Sequence, residues 1–171
     1  MKTDLLAASG PGTATHHIRP AQLADAAGIS ALLQNMGWFA AYEGRSAAQN
    51  AEAVQALLQA QAQTDRSLLL VAQDAQQRIV GYCAVHWLPA AIIQGWEAYL
   101  SELFVADAAR GLGLGSRLLD TAVQAARQQG CARIWLVNNR QRSSYERGFY
   151  AKLGWSEQSQ MARFVLPLTS I

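Results

Sequence analysis

Arg110-Gly111-Leu112-Gly113-Leu114-Gly115-Ser116 sets three alternating glycines behind an arginine, soon after the run Glu102-Leu103-Phe104-Val105. Glycine tolerates positive φ and lets backbone approach a bound group closely. A strand that turns here into a helix exposes that helix's free N–H groups and the positive end of its dipole. Such an end holds anions, and Arg110 adds a forked, charged donor. The chemistry implied is the holding of a phosphate or pyrophosphate. Two familiar phosphate motifs fail at particular residues. A P-loop closes on Gly-Lys-Ser/Thr, whereas this stretch closes on Gly115-Ser116-Arg117. A dinucleotide turn needs a third glycine where Ser116 stands, and an acidic end to the next strand, where Asn138 and Asn139 stand. The alternative is a glycine-rich turn without a ligand.

Other residues could move protons or meet a cation. Glu102, Glu97 and Glu43 are carboxylates that could act as bases. Trp38, Phe39, Tyr42, Trp87, Trp96 and Tyr99 could offer aromatic faces to a cation, or simply fill the core. The three histidines, His16, His17 and His86, have no metal-ligand spacing, and no Cys/His cluster occurs. Cys83 and Cys131 lie far apart in apolar settings and are expected as free thiols.

The elements that must position these residues follow from periodicity. Ile18-Arg19-Pro20 ends a short first strand. Leu23, Ala27, Leu32, Leu33 and Met36 recur at helical spacing over residues 21–36, and Gly37 stops that helix. Residues 38–44 form a loop or partial turn. Ser46 caps a second helix reaching Thr64. Residues 68–73 and 79–88 form a hairpin, and Pro89 breaks it. Residues 96–105 form the strand before the glycine turn, and residues 114–129 the helix after it. A strand over 133–138, a short helix over 143–152 and a last strand over 161–166 complete the order. One α/β domain with a mixed sheet is predicted.

Two blocks in this order resemble the GCN5-related N-acetyltransferase superfamily: Arg110-x-x-Gly113-x-Gly115, then Phe149-Tyr150-Ala151-Lys152-Leu153-Gly154-Trp155. The Ile18-Arg19-Pro20-Ala21…Asp25-Ala26 opening is also similar. The resemblance spans nearly the whole chain after residue 17. It implies a single-domain mixed β-sheet flanked by helices, with splayed parallel strands forming a CoA cleft. It implies acetyl-CoA as co-substrate, no metal, and direct attack by a primary amine while both substrates are bound. Backbone groups of Leu103, Phe104 and Val105 would hold pantetheine. The N–H groups of Arg110, Gly111, Leu112, Gly113, Leu114, Gly115 and Ser116 would hold the pyrophosphate, and Asn138 the cofactor arm. Tyr150 would be the acid and Glu102 the base. Trp38, Tyr42, Glu43 and Trp87 would shape the acceptor site. Segments from Gly81 to Val105 are similar to polyamine-type members, which leans toward a small cationic amine. Acetylation of protein or peptide amino groups, and a silent CoA-binding sensor, are the other readings. Arg140, Arg142 and Arg147 are solvated helix residues or contacts to the 3′-phosphate of CoA.

Composition bounds the rest. A chain of 171 residues, 51% hydrophobic and 15% charged, fits one domain with a real core. Its longest apolar runs fall far short of the roughly 20 residues of a membrane helix. A net charge of +2, with scattered arginines, gives no basic stripe for nucleic acid. Residues 1–17 are expected as a flexible arm, lacking the apolar core of a secretory signal, and residues 18–171 as the acetyltransferase domain. A cytoplasmic enzyme and a homodimer are the corresponding expectations.

Overall fold

The structure, a computed structural model, describes residues 16–168. The expected N-terminal arm thus lies outside the described residues, except for His16 and His17. His17 already belongs to the first strand, and the carbonyl of His16 accepts from the Arg117 guanidinium at 2.9 Å.

Strand β1 (His17–Pro20) leads through a single 3-10 turn into helix α1 (Ala26–Asn35). Arg19 and Asp25 fix that corner: two guanidinium nitrogens meet the two carboxylate oxygens at 2.6 and 2.7 Å. Asp25 also accepts from the Gln22 N–H at 2.7 Å. Helix α2 (Ala47–Gln61) begins at a reciprocal cap. Ser46 Oγ accepts from the Gln49 N–H, and the Gln49 side chain accepts from the Ser46 N–H. Strands β2 (Ser67–Gln73), β3 (Ile79–Ala90) and β4 (Gly95–Val105) follow, then α3 (Leu114–Gln128) and β5 (Cys131–Leu136). The sheet order is β1-β2-β3-β4-β5, antiparallel except for the parallel β4–β5 pair.

Alternation along the central strands builds two cores. Leu70, Ala72, Cys83, Val85, Ala98 and Leu100 face α3, meeting its Leu114, Leu118, Leu119, Ala122 and Ala126. Val71, Tyr82 and Ala84 face Ile29, Leu32, Leu33, Val54 and Leu58 of α1 and α2. The sheet is therefore sandwiched between helices. Cys83 and Cys131 are both free thiols.

Four expectations require correction. Pro89 does not end β3, which runs to Ala90. Trp87 N–H bonds Arg66 of the chain before β2. Two residues on, Pro89 faces the same side beyond the start of β2, where no ladder N–H is needed. The helix over residues 143–152 is two short ones, α4 (Ser143–Glu146) and α5 (Phe149–Lys152), broken at Gly148 with φ 62°. The strand over residues 133–138 ends at Leu136, leaving Asn138 in the following loop. Residues 161–166 form no strand: apolar alternation becomes a strand only against a partner ladder, and the segment lies exposed, with Phe164 92% accessible.

Candidate active site

The parallel ladder between β4 and β5 runs from Trp96 opposite Cys131 to Leu100 opposite Leu136, and β5 stops there. β4 continues to Val105, so its edge from Ser101 to Val105 has no strand beside it. The two strands thus part at Leu100. A cavity of about 1070 Å³ occupies the gap, lined by Leu103, Phe104 and Val105 on one side and by Leu136, Val137 and Asn138 on the other. Backbone N–H and C=O groups along such an edge are ready to bond an extended ligand, apart from the Val105 carbonyl, which accepts from Arg110 Nε at 3.3 Å.

The glycine turn closes one end of the same cavity. Gly111 and Gly113 have φ 79° and 72°, conformations that a side chain would strain. Gly113 is the cap of α3 and supplies no side-chain acceptor. The N–H groups of Leu114, Gly115 and Ser116 therefore stand free at the positive end of a 15-residue helix. Leu114 contributes backbone alone, because its side chain is buried in the α3 core. Arg110 departs from expectation. Its N–H donates to the Asp107 carbonyl at 3.2 Å, so that amide serves the turn and not an anion. Its guanidinium pairs with the Asp107 carboxylate at 2.7 Å. Leu112 is exposed at the crest of the loop.

Asn138 carries a direct mark of a missing partner. Its Oδ1 accepts from Ser144 Oγ at 3.3 Å, while its buried Nδ2 has no acceptor. A buried donor without a partner costs about 1–3 kcal/mol, so an acceptor supplied by a ligand fits here. Arg110, Arg142, Arg147, Lys152 and Arg163 also line the cavity, and among the described residues no carboxylate side chain does. The cavity suits a long ligand with several negative charges.

Tyr150, on α5, lines the cavity and packs edge-on against Phe149 at 4.9 Å and Trp155 at 6.0 Å between ring centroids. Burial, with a smaller contribution from Cys83, pushes its phenol up to about 12. The proton therefore stays on Oη through the neutral range. Glu102 is half-buried beside Tyr82 and does not line the cavity. Burial raises its carboxyl above the ordinary range, and the adjacent Tyr82 hydroxyl opposes part of that rise.

The expected acceptor residues divide. Trp38 lines the cavity, and its ring face is already covered by the Arg142 guanidinium at 3.8 Å. Arg110 approaches the same ring at 5.7 Å, and Phe104 meets it edge-on at 6.4 Å. Trp38 therefore ties the loop after α1 to the loop after β5, across the cavity. Tyr42 packs near Phe39 at 6.3 Å, behind that wall, and feels the charge of Glu102. Glu43 is exposed on the same loop. Trp87 is only 5% accessible and lies in the core under α3, in line with Cys83 and Val85; strand alternation removes it from the acceptor side.

Sequence reasoning missed Ser101, which lines the cavity, and His86, whose Nε2 lies 2.9 Å from Ser101 Oγ. The signal would have been a β4 bulge: Ala84 pairs with Glu102 but Val85 with Leu100, leaving Ser101 over. No residue type announces such a bulge. Among the described residues no group of three His, Cys, Asp or Glu could hold a metal ion, and no helix is long and apolar enough to cross a membrane.

Comparison with known proteins agrees with this geometry. Residues 33–155 match the model of the Acetyltransferase (GNAT) family. An uncharacterized N-acetyltransferase, YhfO of Bacillus subtilis (strain 168), is 28% identical over 150 residues, covering 88% of this chain and 96% of that one. A transcriptional regulator from Bacillus halodurans C-125 superposes with a TM-score of 0.72 at 24% identity, over 89% of this chain and all of that one. Ribosomal-protein-alanine N-acetyltransferase from Brucella melitensis biovar Abortus 2308 gives a TM-score of 0.70 at 18% identity, over 90% of this chain and all of that one.

Proposed function

Because the chain belongs to the GNAT acetyltransferase family, whose co-substrate is acetyl-CoA, we propose that it acetylates the primary amine of a small molecule by direct attack with both substrates bound. The observation that carries this reading is the parting of β4 from β5 beyond Leu100 and Leu136, in the same cavity as the uncapped start of α3. Acetyl-CoA supplies an activated thioester; the rest is done by this chain. The free β4 edge from Ser101 to Val105 bonds the amide-bearing arm and orients it. Leu114, Gly115 and Ser116 hold the pyrophosphate with their N–H groups, and Asn138 Nδ2 donates to the arm. Arg142 and Arg147 offer charge to the remaining phosphate. A β4 backbone N–H polarises the thioester carbonyl; one such donor is typically worth a few kcal/mol.

Tyr150 keeps a proton at Oη beside the place where sulfur departs. Its phenol, at about 12, stands more than three pH units above a thiol's ~8.5. Tyr150 therefore works by donating a hydrogen bond to the departing sulfur while keeping its own proton. The acceptor enters past the loop of Trp38, Phe39 and Tyr42. Glu43, exposed next to Tyr42 on that loop, and Glu102 behind it favour a cationic amine, although Arg142 already occupies the Trp38 face.

The test is a thiol-release assay with acetyl-CoA over diamines, amino acids, aminoglycosides and peptides. Release with one class of small amine is the expected result. Release with peptides alone would replace the small-molecule acceptor with a protein. Saturable binding without release anywhere would favour a CoA sensor.

A further inference from the structure

The bulge of β4 places a pair of residues that the scheme above does not use. Leu100 faces α3, so regular alternation would turn Glu102 to the α3 side as well. The extra residue at Ser101 instead leaves Ser101 and Glu102 together on the side of α1 and α2, opposite Ala84. Ser101 lines the cavity. Its Oγ lies 2.9 Å from Nε2 of His86 and 3.4 Å from the Ala84 carbonyl. A hydroxyl donates one proton, and the shorter contact is to the imidazole. With that proton directed at Nε2, the Oγ lone pairs are free to accept from a group in the cavity.

His86 stands behind Ser101 on β3, half-buried, between Ser67 of β2 and Tyr99 of β4. The Tyr99 ring lies 6.4 Å from His86 and stacks on Trp135 at 4.3 Å. The charged groups nearby on β4 are otherwise engaged: Glu97 pairs with Arg133 at 2.7 Å, and Glu102 lies beside Tyr82. Burial alone acts on the imidazole and lowers its pKa, so the ring is neutral at pH 7. A neutral imidazole in contact with the hydroxyl of a cavity-lining residue is a proton-accepting arrangement when Nε2 is the unprotonated nitrogen.

We propose that Ser101 and His86 together take the proton from the incoming ammonium. Ser101 Oγ receives a proton from the amine nitrogen as its own passes to Nε2. The amine is left neutral with a free lone pair, and the imidazole carries the positive charge. Ser101 is the residue that touches the acceptor; His86 is a positioning residue that acts through it. This inference rests on the acetyl-transfer reading. It moves the base from Glu102, which does not line the cavity, to a pair that reaches it.

The experiment measures kcat/KM for the best amine from pH 5 to 9 in wild type, His86→Gln, Ser101→Ala and Glu102→Gln, with acetyl-CoA affinity by calorimetry. The wild-type rate should fall on the acid side with a pKa below the ordinary ~6.5 of histidine. His86→Gln should lose that acid limb and about 100-fold in kcat/KM, the scale of general base catalysis, while binding acetyl-CoA within about twofold of wild type. Ser101→Ala should lose a similar factor. An unchanged rate and limb in His86→Gln, or a limb abolished only by Glu102→Gln, would overturn the pair. Should His86→Gln fail to fold, NMR titration of the wild-type ring decides. Titration below pH ~6.5 that shifts in Ser101→Ala supports the pair, and a ring indifferent to Ser101→Ala overturns it. If wild type acetylates no amine, the parent reading falls and this inference with it. If wild type is active and the variants match it, only the inference falls.

Discussion

Leu100 and Leu136 form the last rung of the parallel ladder, and the cavity opens beyond it, between Ser101–Val105 of β4 and the loop after β5. The parting there is a matter of strand length. β5 ends at Leu136, whereas β4 runs five residues further, to Val105.

Gly113→Ala tests the anion end of that gap. An alanine Cβ at φ 72° is strained and projects into open space beside the uncapped helix. Folding stability should drop by about 1 kcal/mol. Acetyl-CoA affinity should fall at least about tenfold, equivalent to 1.4 kcal/mol. Thermal melting and calorimetric titration read the two effects separately.

Tyr150→Phe removes the phenol proton that the proposed mechanism sets beside the departing sulfur and keeps the ring that packs on Phe149 and Trp155. Turnover should fall about 10- to 100-fold, with acetyl-CoA affinity unchanged. Because the phenol is pushed up to about 12, it should contribute no alkaline loss of wild-type rate below pH 10. A pH–rate profile of both proteins checks this.

Glu102 should weaken the fold as its charge appears. Its folded pKa is raised, so its contribution is most favourable below the ordinary ~4.3 and is lost as pH rises through the raised value. Glu102→Gln should therefore melt higher than wild type at pH 8, by up to ~4 °C for about 1 kcal/mol. The difference should vanish near pH 4. Calorimetric melting at the two pH values provides the check.

Arg142→Ala should separate stability from binding. A cation–π contact of this kind is worth about 0.5–1 kcal/mol when exposed, so the melting temperature should move by no more than a few degrees. Acetyl-CoA affinity should weaken about threefold to tenfold, an effect that shrinks at high salt as screening grows. Titration at two ionic strengths measures it.

Asp25→Asn breaks the Arg19 fork that joins β1 to α1. The Arg19 hydrogen bonds are the main reason the Asp25 carboxyl sits below its usual range. That stability is present above the ordinary ~3.9 and is lost as pH falls through the lowered value. The variant should lose about 1–3 kcal/mol at pH 7 and approach wild type in acid. Denaturant titrations at both pH values test it.

The parts of this architecture that were legible in the sequence are those set by local rules. The glycine spacing at residues 111–115 gives the turn, helical periodicity gives α3, and Ser46 gives the start of α2. Features set by pairing between distant strands were not legible. The Ser101 bulge depends on how β3 meets β4, and so does the face on which Trp87 lies. Pro89 reads locally as a breaker, yet β3 accepts it because β2 has not begun on that side. The Arg110 amide looks free in sequence and is consumed by Asp107 in the turn. Residues 161–166 have the alternation of a strand, without a neighbouring ladder to make one.

The structure of the complex with CoA tests the central claim most directly. The pantetheine arm should lie between Ser101–Val105 and the loop after Leu136. The pyrophosphate should rest on the N–H groups of Leu114, Gly115 and Ser116, and Asn138 Nδ2 should find its missing acceptor. CoA bound elsewhere, or a chain in which β5 continues past Leu136 and pairs with Ser101–Val105, would contradict it.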